Sequence, residues 1–481
     1  MKNRSLLSGC DGTLQRTKKE QRSTANIDCQ IKEGIRFLSI RNLTQRGFLL
    51  RFVWIAALLS LAGLIFSATK TEPSAWLTPG RAWDVDIYYR AMQAVRFGQD
   101  PYAAGLARQI AAEANGQHAF TYVYPPVTLL ALRAVNLLPL WRAAALYWIT
   151  YGTAFIGIVW AATQCFCTPD RGIKDRDIND VGIMQYAVPL AVFFPGLMPD
   201  DVILSGNIAY IFYGLIFTAA VLGWRRGVWR WFYLAVLFAA CFKLPFLTLL
   251  AIPPLAGERQ WLKATGVGAA GVGLFAAQNW IWPLEFREYL QSVSLQFKFN
   301  GDFGLSPAGV LGRFLYERGL PYSAPSTLAF LIYGSILFAA LYAFSIFYRE
   351  RRISAESWIP VLMVGTILLN PRIMQYDVHA IALPMALIVV RSVASRSKAG
   401  IAVAVSVLGL MIAGFMSNTP ASVDHIRSMF VLVAVLGLGF QQLAVEVRRT
   451  RAESLLILPD VSAVSEPALV AVDAYQTESR G

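Results

Sequence analysis

The 481-residue chain is 56% hydrophobic and only 15% charged, far below the roughly 25% charge of a soluble domain. Long apolar runs recur along it, which excludes a soluble globular fold and also a β-barrel, whose short segments alternate in hydrophobicity. The net charge of +13 sits largely in an N-terminal tail and short loops, as the positive-inside rule requires. With no basic strip interleaved with stacking aromatics, nucleic acid is not expected as a partner.

In chain order, residues 1–46 read as a basic, disordered cytosolic tail. About 45 polar residues precede the first apolar run, so no cleavable signal peptide is evident. That run, 47–68, is expected to cross from inside to outside. A long first external loop, 69–140, follows. It is expected to carry interfacial helices, one running from Tyr124-Pro125-Pro126 to Leu138 with Arg133 inside it. Spans are expected at 141–166, 182–198 and 207–224. Taking 126–140 as a true span instead would strand Arg171, Lys174 and Arg176 outside.

Residues 229–256 have basic flanks at both ends and are interrupted by Lys243 and Pro245. This predicts a hairpin of two short helices with Lys243 at its outer turn. A buried lysine without a partner would lose several kcal/mol or its proton, so Lys243 is expected to reach an aqueous, anionic site. Residues 262–282 lead to a second external loop, 283–325, in which no motif is assigned. Spans at 328–348, 358–370, 380–390, 401–416 and 429–445 complete the reading. The fold class is an all-α polytopic membrane protein of about twelve membrane helices, some short, occupying 47–450. Both termini are expected in the cytosol, with 451–481 a second disordered tail.

The five cysteines form no paired CxxC set, and Cys165 with Cys167 are too few for structural zinc. No cofactor and no metal site is expected. Polar residues that interrupt the apolar pattern gather on the outer face. They are Asp84 and Asp86; Tyr122 and Tyr124; Asp200, Asp201 and Asn207; Lys243; the loop 299–302; and Arg372, Tyr376, Asp377 and His379. Each has a structural reading. The first two aspartates can be solvated loop charges, and Lys243 can snorkel to an interface. Arg372 and Asp377 can pair with each other, His379 can serve a helix start, and Asp200 and Asp201 can cap a helix. Their gathering on one face instead suits a reaction on a lipid-borne substrate, with an acid serving as base and the cations holding a phosphate leaving group.

Three segments of the first loop carry a resemblance. They are Asp84-x-x-x-Tyr88-Tyr89, Gly98-Gln99-Asp100-Pro101-Tyr102 and Phe120-Thr121-Tyr122-Val123-Tyr124-Pro125-Pro126. Ser205-Gly206-Asn207, Lys243-Leu244-Pro245 (its proline one place early) and the segment from Asn370-Pro371-Arg372 to His379 add to it. Over about 50–440 the chain resembles glycosyltransferase family 87, polyprenyl-phosphate-sugar-dependent transferases, mostly mannosyltransferases, of the GT-C superfamily. The resemblance implies a GT-C-like bundle in a bacterial plasma membrane, with the active site facing the periplasm or exterior. It implies an inverting, metal-independent transfer from a polyprenyl-phosphate sugar donor to a glycolipid or glycan acceptor. By position Asp84 best matches the family's catalytic base, with Asp86 the runner-up. Lys243, Arg372 and His379 are then expected at the donor phosphate, and Tyr88, Tyr122, Tyr124, Asn207 and Asp377 at substrate. A polytopic transporter or lipid flippase is the competing reading. Against it, no internal repeat is visible and the charges crowd one face rather than the midplane.

Overall fold

The computed structural model describes residues 83–115, 120–166, 179–193, 205–300, 303–395, 398–416 and 421–456. The chain divides into two compact units, Met1–Gly63 and Leu64–Gly481, and every described residue belongs to the second. The first expected span, Asp200, Asp201, Gly301, Asp302 and the tail beyond 456 lie outside the described residues.

Helices make up all the regular structure among the described residues. The expected first external loop holds α1 (Trp83–Arg96), α2 (Pro101–Ala114) and the short α3 (Val127–Val135). The motif between α1 and α2 has a local logic. Gly98 takes φ 70° in the turn, a conformation open to glycine. Asp100 accepts from the backbone N–H groups of Tyr102 (3.0 Å) and Ala103 (2.9 Å) at the start of α2. Pro101 opens the helix, where a missing N–H loses nothing. Tyr102 then turns inward, 2% exposed, and donates to the Tyr124 carbonyl (2.6 Å). With Ile87, Ala91, Tyr122, Tyr124 and Leu129 it forms a small aromatic core of its own.

The main bundle follows. It contains α4 (Leu140–Phe166), α5 (Asn179–Phe193), α6 (Ala209–Arg226) and α7 (Arg230–Phe242). A 3-10 helix, Leu244–Ala251, and α8 (Ile252–Leu255) lead to α9 (Trp261–Ile281). The expected second external loop holds α10 (Pro283–Asn300) and α11 (Pro307–Glu317). Then come α12 (Ser323–Arg349), α13 (Ala355–Leu368), the five-residue α14 (Gln375–His379), α15 (Ala382–Ala394), α16 (Lys398–Met416) and α17 (Ala421–Leu456). One apolar core joins α4, α6, α7, α13, α15 and α17; α13 and α15 are buried along nearly their whole lengths.

Among the described residues, three helical segments are long and apolar enough to cross a membrane: Arg142–Gln164, Ser323–Arg349 and His425–Ala452. Five apolar pieces are shorter, so the twelve-crossing count stands as an expectation. The short pieces have a physical cause. Lys243 adopts extended backbone (φ −144°, ψ 105°) between α7 and the 3-10 helix that Leu244 and Pro245 open, and Pro245 has no N–H with which to continue α7, so 230–255 forms two short helices. Asn370-Pro371 likewise ends the helical run after α13. Helix α17 runs to Leu456, six residues past the boundary drawn at 450, and within it Glu446 accepts from the Ser354 N–H (2.7 Å).

Candidate active site

The start of α1 is pinned to the segment before α6. Both Asp84 N–H and Val85 N–H donate to the Ser205 carbonyl at 3.2 Å, and Tyr147 of α4 donates to the Gly206 carbonyl. Gly206 has φ 70°, and a Cβ there would overlap Val85 Cγ2. The left-handed backbone and the close Val85 side chain both favour glycine at this position. The next residue, Asn207, turns its Oδ1 toward Ala209 N–H (3.0 Å) and Lys243 Nζ (2.9 Å). The Ser205-Gly206-Asn207 motif therefore ties the first-loop aspartate to the hairpin lysine.

Lys243 also donates to Tyr376 Oη (3.3 Å) and lies 4.4 Å from the Tyr376 ring centroid and 5.3 Å from that of Tyr124. Aromatic faces stabilise an ammonium without neutralising it. Asp377, 4% exposed, accepts from Tyr213 Oη (2.8 Å) and from Met374 N–H (2.7 Å). Burial raises its carboxyl from 3.8 to about 6, against the opposing pull of the Met374 N–H, Lys243, Tyr213 and Arg372. Asn370 Oδ1 accepts from Arg372 N–H (3.0 Å) and shapes the turn that presents that arginine.

These residues surround one cavity of about 280 Å³, near the lower end for small-ligand sites. Of the ten site residues singled out in the sequence, Asp84, Tyr124, Asn207, Lys243, Arg372 and Asp377 line it. The four others do not line it. Tyr88 Oη shares a hydrogen bond with Tyr124 Oη (2.6 Å) and accepts from Ile208 N–H (3.1 Å); burial raises both phenols well above 10, so they stay protonated. Tyr122 shares a hydrogen bond with Thr128 Oγ1 (2.5 Å). Asp86 faces away, held by Arg90 Nε (2.8 and 2.9 Å) and Arg108 Nη2 (3.2 Å). His379 is buried at the end of α14, neither ring nitrogen has a hydrogen-bond partner, and burial lowers its pKa to about 3, which keeps it neutral.

Helix α10, to which no motif was assigned, supplies Tyr289, Val293 and Gln296 to the same cavity. It is anchored by Ser292, whose hydroxyl donates to the Tyr122 carbonyl (2.8 Å). Tyr213 is a second residue the sequence reading passed over, since inside an apolar run it carries no distinguishing pattern. A larger groove of about 380 Å³, lined chiefly by apolar side chains of α1, α3, α4, α6 and α7, shares Tyr124 and Phe242 with the polar cavity.

Two carboxylates, Asp84 and Asp377, and two cations, Lys243 and Arg372, line the one cavity, an arrangement that can remove a proton and stabilise a developing anion. The profile of glycosyltransferase family 87 matches residues 122–371, just over half of the chain. The match contains Tyr122, Tyr124, Asn207 and Lys243, begins after Asp84 and ends one residue before Arg372. No curated protein and no solved structure matches. The chain belongs to glycosyltransferase family 87 and is a membrane glycosyltransferase, acting on a sugar donor and an acceptor.

Proposed function

We propose that this protein is an inverting hexosyltransferase of GT-C type that moves a hexose, mannose first among them, from a polyprenyl-phosphate donor to a lipid or glycan acceptor. The membrane is a bacterial plasma membrane and the site faces its outer side. The observation that carries the reading is the single cavity lined by Asp84, Lys243 and Arg372. Asp84 takes the proton of an acceptor hydroxyl. The oxygen attacks the anomeric carbon from the face opposite the phosphate, the carbon–oxygen bond to phosphate breaks, and configuration inverts. Lys243 and Arg372 stabilise the phosphate as it leaves. A phosphate is already a good leaving group, so the step needs no metal.

The apolar groove beside the cavity supports a lipid-borne donor. The two share Tyr124 and Phe242 in their linings, so a phosphate by Lys243 would have its prenyl tail beside the groove. Asp86, engaged by Arg90 and Arg108, joins α1 to α2, which favours Asp84 as the base. His379, buried and neutral, does not line the cavity that would hold the phosphate. Asp84→Asn keeps the shape and removes the base. It is expected to lower transfer from labelled polyprenyl-phosphate-mannose in proteoliposomes by about 100- to 10,000-fold while folding is retained. Full activity in that variant rejects Asp84 as the base. Solute uptake without consumption of sugar lipid rejects the transferase reading in favour of transport.

A further inference from the structure

Helix α10 presents Tyr289, Val293 and Gln296 to the cavity, a spacing of four and three residues that places them on one helical face. Gln296 is 8% exposed, and its Oε1 is buried with no hydrogen-bond partner. A buried amide oxygen without a donor is unfavourable, and such groups are few in folded proteins. The remedy lies beside it, because the terminal torsion of glutamine is broad and the side chain lines a cavity open to ligand. Gln296 is also held in place from behind. One turn back, Ser292 is hydrogen-bonded to the Tyr122 carbonyl, and Tyr289 packs at 5.7 Å from Phe286 and 6.5 Å from Tyr102 between ring centroids. A fixed aromatic ring beside an amide complements a sugar, which offers an apolar C–H face and hydroxyl donors.

We propose that α10 is the specificity wall of the transfer site, where Gln296 Oε1 receives one hydroxyl of the carbohydrate substrate and Tyr289 packs against its ring. This rests on the transferase reading above. The hydroxyl belongs either to the donor hexose or to the acceptor sugar, and the chemistry at Gln296 is the same for both. Gln296 is a specificity-determining residue; it takes no part in moving the proton or the phosphate.

The test compares the unaltered protein with Gln296→Met, which keeps the length and removes the acceptor oxygen, and Gln296→Glu, which keeps an accepting oxygen. Substrates are polyprenyl-phosphate-mannose with octyl α-mannoside, and monodeoxy forms of each. The unaltered protein is expected to lose about 10- to 100-fold in kcat/KM on one deoxy substrate. Gln296→Met is expected to lose a similar factor on the complete substrates and little more on that same deoxy compound, while Gln296→Glu keeps the discrimination. A deoxy donor as the affected compound assigns the contact to the donor sugar, and a deoxy acceptor assigns it to the acceptor. Gln296→Met activity equal to that of the unaltered protein overturns the proposal. So does a uniform loss with discrimination among deoxy compounds intact, since that marks a packing role. In both of these results transfer by the unaltered protein, abolished by Asp84→Asn, leaves the transferase reading standing. No transfer by the unaltered protein overturns both.

Discussion

Replacing Lys243 by Met separates the catalytic use of this lysine from its structural use. The ammonium has hydrogen bonds to Asn207 Oδ1 and Tyr376 Oη and two aromatic faces beside it. Losing them removes about 1–3 kcal/mol of favourable interaction. Met restores that in part, because it fills the volume of the stem and no charge need leave water. Neither abandoned acceptor is stranded: Asn207 Oδ1 keeps the Ala209 N–H, and Tyr376 lines the cavity. Net stability is therefore expected to move by no more than about 1–2 kcal/mol. Catalysis is expected to suffer far more. Removing one fixed donor from a developing anion lowers kcat by about 100- to 1,000-fold, or about 2.7–4 kcal/mol. The assay is initial-rate transfer of labelled mannose from polyprenyl-phosphate-mannose at several donor concentrations, with thermal unfolding followed in parallel. A loss in kcat marks an interaction made in the transition state. A rise in KM with kcat unchanged would mean that Lys243 only holds the donor, and a kcat within about threefold of the unaltered protein would refute the reasoning.

Two further outcomes follow from the same geometry. Asp377 has a carboxyl raised from 3.8 to about 6, so the folded state holds its proton more tightly than the unfolded chain. The stabilisation is full below about pH 4 and lost as pH rises through about 6, amounting to about 3 kcal/mol at 1.36 kcal/mol per unit. Asp377→Asn is expected to flatten this part of the unfolding-temperature profile, and an unchanged slope would contradict the assignment. Gly206→Ala forces a side chain into a left-handed position and against Val85, which predicts a loss of about 2–5 kcal/mol measured by denaturation. Transfer should fall with it, because the same contact sets the position of Asp84; normal transfer in a destabilised variant would show that α1 is located by other means.

Composition alone determined the helical membrane class: a chain this apolar can satisfy its backbone within lipid only by intrahelical bonds. Local chemistry determined several elements. Gly98 to Tyr102 marks the turn into α2, the 141–166 apolar run becomes α4, and Lys243 with Pro245 breaks the stretch between α7 and the 3-10 helix. These are legible because turn, cap and breaker residues act within a few positions of themselves. The asymmetry between the two first-loop aspartates needed the tertiary structure to explain it. Asp84 and Asp86 lie two residues apart, yet one meets the cavity and the other meets Arg90 and Arg108, the second from another helix. Gln296 and Tyr213 gave no sign in one dimension, since nothing local distinguishes a glutamine or tyrosine that faces a cavity from one that does not. Their role depends on which helices pack against α10 and α6, and that is a property of the whole bundle. The convergence of Asp84, Lys243 and Arg372, spread across nearly three hundred residues of sequence, was likewise decided only by packing, because backbone contacts at Ser205 and Gly206 and side-chain contacts at Asn207 join segments the sequence keeps apart.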